Sequence, residues 1–129
     1  MPAYSILQTL IAVALAFWGS LGTILMPNIV TIDVPADGHT AGALWPLEDN
    51  TCTIRLRPQF YELDANMQQL AIMHEVGHCI GLDHISEPGI MNPVLTASTH
   101  ESPADVAEFN RVHPAAPRPF RVLVPSLAR

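Results

Sequence analysis

The stretch HEVGHCIGLDH, His74 to His84, carries three of the chain's six histidines, and their spacing decides how the rest is read. At 3.6 residues per turn, His74 and His78 lie one above the other on a single helical face, so both imidazoles can point at one ion. Glu75 angles away from that face, where its carboxylate can reach a metal-bound water rather than the metal itself. His84 cannot join the pair from the same straight helix. The chain has to turn sharply, and Gly81 stands where a left-handed, helix-ending residue is needed, because glycine adopts positive φ without a Cβ clash. His84 can then swing back beneath the ion.

Three neutral imidazoles leave the fourth position of a zinc ion open to water, the arrangement of a catalytic site rather than a closed structural one. The ion lowers the pKa of that water, and a carboxylate alongside can take the proton and pass it to a leaving group. The expected chemistry is hydrolysis, with one Zn2+ held by His74, His78 and His84 and with Glu75 as general base. The alternative is a buried amphipathic helix with incidental histidines, which leaves the joint placement of five specified residues to chance.

The stretch fits HExxHxxGxxH without a mismatch and so resembles the zinc signature of the metzincin metallopeptidases, most nearly their matrixin branch. GIMNP, Gly89 to Pro93, resembles the family's methionine turn, which places Met91 beneath the metal. SPADVAEFNRVHP, Ser102 to Pro114, resembles its closing helix, with Ser102 as N-cap, Pro103 in the first turn and Val106, Phe109 and Val112 at helical spacing. The resemblance runs from about Thr53 to Pro114. It departs from the matrixins at Ile85, where they usually have serine, and in a shorter spacer before Met91. It implies an α+β zincin-like fold: a short twisted sheet, a zinc-binding helix, a methionine turn and a C-terminal helix. It also implies a zinc endopeptidase acting on protein or peptide substrates. In the family the strand before the zinc helix pairs with extended substrate, which points to Thr53, Ile54 and Arg55. The chain after the methionine turn walls the pocket for the residue following the scissile bond, which points to Val94 and Leu95. Two rival readings remain: a zinc-binding module that does not cut, and a small membrane-anchored structural protein.

Outward from the motif, DANMQQLAIM supplies the rest of its helix, with Asp64 as N-cap. TCTIRLRP, Thr51 to Pro58, and NIVTIDV, Asn28 to Val34, read as strands. PADGHTAG is a loop turned at Asp37 and Gly38, with His39 exposed on it. The interval between Pro27 and His74 is short for the family, which predicts a reduced sheet.

The chain has 129 residues, enough for one domain with a modest core, and 49% of them are apolar. No charged side chain occurs from Met1 to Ile32. Three readings of 1–27 stand open: a membrane anchor or uncleaved signal, a cleaved signal, or a first helix of the domain, for which Gln8, Thr9 and Ser20 hardly make a polar face. The first two place the domain outside the cytoplasm, secreted or membrane-anchored. The expected organisation is 1–27 as that hydrophobic segment, 28–114 as a compact catalytic domain and 115–129 as a Pro/Arg-rich tail.

Net charge is −6, with no basic stripe to track phosphates, which argues against nucleic acid. Asp33, Asp37, Glu48 and Asp49 could hold calcium, but their spacing matches no calcium loop, and a solvated acidic loop is the expectation. Cys52 and Cys79 are readable either as a disulfide between strand and zinc helix or as unrelated small residues.

Overall fold

The computed structural model describes residues 3–44 and 49–114. Its architecture is α+β: helix α1 (Ala3–Gly19), strands β1 (Asn28–Asp33), β2 (Ala41–Leu44) and β3 (Thr51–Leu56), a short α2 (Pro58–Glu62), then α3 (Ala65–Cys79) and α4 (Pro103–Val112). The sheet has three strands in the order β1-β3-β2. β1 runs parallel to β3, with Val30 beside Thr53, while β2 runs antiparallel, with Gly42 beside Arg55.

Strand alternation sends Cys52, Ile54 and Leu56 to one face of β3, where all three are buried, and leaves Thr53 and Arg55 half-buried on the other. The buried face packs in one core with Ile72, Val76 and Cys79 of α3 and with Trp18 and Phe109. Trp18 stacks on Phe109 with ring centroids 6.3 Å apart. A disulfide joins Cys52 to Cys79, so the paired reading of the cysteines holds. It closes a span of 27 residues, which loop entropy makes worth about 3 to 4 kcal/mol. α3 begins where Asp64 accepts the backbone N–H of Met67, and it ends at Gly81, whose φ is +96°.

Two expectations are corrected. The first is the boundary drawn after Pro27. α1 contributes Leu7, Ala14 and Trp18 to the core, and the Trp18 indole donates to the Met73 carbonyl at 2.9 Å, so the segment packs as a domain helix. Among the described residues no helix is long and apolar enough to cross a membrane. The second is the placement of Thr53, Ile54 and Arg55 on a substrate-facing edge. β3 is the central strand, hydrogen-bonded on both sides, so its backbone has no edge left to offer. The edge strands are β1 and β2, and of the two it is β2 that lies beside the histidines. The tail 115–129 lies outside the described residues.

Candidate metal centre

α3 delivers His74 and His78 one turn apart, and the Gly81 turn returns the chain so that His84 meets them. One ring nitrogen from each of the three histidines lies within 4.8 Å of the others, so the three are close enough to hold one metal ion. His74 is buried, His78 half-buried and His84 exposed.

Two backbone carbonyls settle the tautomers of the first two rings. Nδ1 of His74 lies 2.6 Å from the Ile90 carbonyl oxygen, and Nδ1 of His78 lies 2.8 Å from that of Leu82. A carbonyl only accepts, so each Nδ1 carries the proton and each Nε2 keeps its lone pair. The two Nε2 atoms stand 3.2 Å apart. Burial lowers the His74 pKa to about 4 and depresses that of His78 as well, so both rings are neutral near pH 7. Two lone pairs facing each other with no proton between them repel, and a cation relieves the repulsion.

Glu75 directly follows His74 and makes no part of the triad. It is 8% exposed, and burial raises its pKa to about 7, against the opposing field of the Arg57 guanidinium. A carboxyl poised there exchanges protons readily at neutral pH. Arg57 is itself buried and paired with Asp37 at 2.8 Å, while its Nε and Nη1 have no hydrogen-bond partner among the described residues.

The triad and Glu75 border a cavity of about 810 Å3. Ala41 to Ala43 of β2 and Pro93 to Leu95 also line it. Leu63, Met67 and Ala71 add apolar lining. Val94 and Leu95 line the same cavity as the three histidines. Thr53, Ile54 and Arg55 do not reach the cavity. His39, exposed on its loop, also lines it. Three of the four acidic residues ahead of the motif have local partners: Asp37 accepts from Arg57 and the His39 amide, Asp33 from Tyr61, and Asp49 from the Thr51 amide, while Glu48 lies outside the described residues.

Met91 is fully buried against α3, and a Cβ built on Gly77 would run into its Sδ. Glycine between His74 and His78 is what allows this approach. The turn that carries Met91 is held from α4 by Asp105, a residue the motif reading passed over. Its carboxylate accepts the amides of Ile90 at 2.8 Å, Met91 at 2.9 Å and Ser102 at 3.0 Å, and it has no solvent exposure. With Ser102 it forms a capping box, and the Ser102-x-x-Asp105 spacing was the available signal. Asp105 thus positions Ile90, whose carbonyl orients His74.

No protein-family model matches the chain, and no curated protein matches it in sequence.

Proposed function

We propose that this protein is a zinc-dependent endopeptidase of the metzincin kind, closest in its motifs to the matrixin branch. The observation that carries the reading is the pair of unprotonated Nε2 atoms 3.2 Å apart with His84 alongside. Nitrogens bound to one tetrahedral zinc at about 2.0 to 2.1 Å are separated by roughly 3.3 Å, so the rings stand at a spacing that fits this ion. The Ile90 and Leu82 carbonyls, each against the Nδ1 of one ring, fix the ring orientations, as metal-ligating histidines require.

Zinc supplies Lewis-acid chemistry, acidifying a water and polarising a carbonyl. Glu75 takes the proton of the attacking water and returns it to the leaving amine, a role for which a pKa near 7 suits both directions. The substrate lies extended along the free edge of β2, which replaces β3 as the pairing strand. Backbone hydrogen bonds there give affinity independent of side chain. The side chain after the scissile bond enters among Val94, Leu95, Met67 and Ala71. The disulfide supports a site of action outside the reducing cytoplasm.

The reading is tested by stripping the protein with a chelator and restoring zinc. Hydrolysis of a peptide library should vanish and return for the wild type, and His84→Ala should bind zinc far more weakly. Cleavage that persists in the stripped protein overturns the reading.

A further inference from the structure

β1 is an edge strand of unusual character. Among the described residues it pairs on one side only, with β3. Edge strands ordinarily avoid pairing through charge, proline, bulges or brevity. From Asn28 to Ile32 this one has no charge, proline or glycine, and it is six residues long with Val30 and Ile32 exposed. The surroundings match. Six of the eight large hydrophobics exposed among the described residues lie between Ile6 and Ile32. A groove of about 570 Å3 runs between β1 and α1, lined by Leu7, Ile11, Ile29 and Thr31 among others.

We infer that the free edge of β1 is a self-association site, at which a second copy of this chain adds its own β1 antiparallel about a two-fold axis to make one continuous six-stranded sheet. Charge selects that occupant. The chain carries −6 overall, so two copies repel across most of their surface, whereas the region before Asp33 has no charged side chain and is where they can meet.

The hydrogen-bond parity of β1 fixes the register. Asn28 and Val34 direct their amides at β3, so in this parallel pair the even-numbered residues face inward, and Ile29, Thr31 and Asp33 direct N–H and C=O to the free edge. A two-fold centred on Thr31 sets Thr31 against Thr31 and Ile29 against Asp33 of the second copy, each pair exchanging two backbone bonds. On the outer sheet face the same register brings Val30 against Ile32, an apolar cross-strand pair repeated by symmetry. Asp33 meets Ile29 rather than another Asp33.

The test is sedentrometric and by amide exchange on the full chain. Sedimentation over a concentration series should show a monomer–dimer equilibrium. Exchange resolved by residue should show the amides of Ile29, Thr31 and Asp33 gaining protection with dimerisation, while those of Val30 and Ile32 stay protected in both states. Thr31→Pro removes one outward N–H without touching the bonds to β3, and V30K combined with I32K sets lysine against lysine. Both should shift the protein to monomer with its zinc content unchanged. A chain that stays monomeric to several hundred micromolar overturns the proposal, as does a dimer that survives both variants or leaves the odd-numbered amides exchanging freely. A monomer that dimerises only after residues 115–129 are removed would show the tail to be the occupant instead. A monomer that partitions into neutral lipid vesicles would show a membrane to be.

Discussion

His74 and Asp105 never touch, yet each holds Ile90: the ring Nδ1 lies 2.6 Å from its carbonyl oxygen, and the carboxylate accepts its amide at 2.8 Å. A single peptide segment thus connects α4 to His74. Asp105→Ala strands the amides of Ile90, Met91 and Ser102 in a buried place, at about 1 to 3 kcal/mol for each unsatisfied group. The variant should also lose roughly 10- to 100-fold in zinc affinity, as removal of outer-shell partners does. Competition with a chelating dye measures this, and an unchanged affinity would show that Ile90 keeps its place without the carboxylate.

Trp18 is the corresponding test of α1. Its indole is fully buried, bonded to the carbonyl just ahead of His74 and stacked on Phe109. Trp18→Ala should cost about 3 to 5 kcal/mol of stability, read by denaturant titration. A substitution that leaves the midpoint unmoved would return 1–27 to the role of an appendage.

Local signals in the sequence were easy to read and distant ones were not. Asp64, Gly81 and Ser102 mark helix ends through hydrogen bonds and φ angles confined to a few residues, and the structure has all three where the pattern puts them. Strand order is set by pairings far apart in sequence. β2 is only Ala-Gly-Ala-Leu, without the β-branched residues or alternation that announce a strand, so the sequence alone leaves β3 without its second neighbour and points to it as an edge. α1 misled for another reason: its outward face keeps Ile6 and Val13 exposed, so no polar stripe betrayed that its other face is buried.

The two shifted groups at the site oppose each other in pH. Glu75 is raised from 4.5 to about 7, so the fold favours its protonated form and loses stability as pH rises through that window. His74 is lowered from 6.5 to about 4, so the fold favours its neutral form and loses stability as pH falls from 6.5 toward 4. In the metal-free protein these contributions offset one another between pH 4.5 and 6.5. Glu75→Gln removes one of them. The metal-free variant should be more stable than the wild type at pH 8, by on the order of 2 to 3 kcal/mol, and should weaken on acidification below pH 6.5. Thermal melts at several pH values decide it, and a variant less stable than wild type at pH 8 would contradict the burial of an ionised Glu75.

If the protein is the endopeptidase proposed, its selectivity follows from the cavity walls. Val94, Leu95, Met67 and Ala71 offer no charge to an incoming side chain, so an aliphatic or aromatic group gains about 1.5 to 3 kcal/mol there while a charged one enters unpaired. A library digest should show cuts before Leu, Ile, Met or Phe. Cuts mainly before Lys, Arg, Asp or Glu would mean that another surface forms the pocket.

The central claim, that three histidines hold zinc while Glu75 moves the proton, is tested most directly by measuring zinc content and peptide hydrolysis together on the wild type and Glu75→Ala. The account predicts about one zinc per chain in both, with turnover lower in the variant by roughly 100- to 10,000-fold. Near-normal turnover in Glu75→Ala, or a wild type that cleaves without bound zinc, would contradict it.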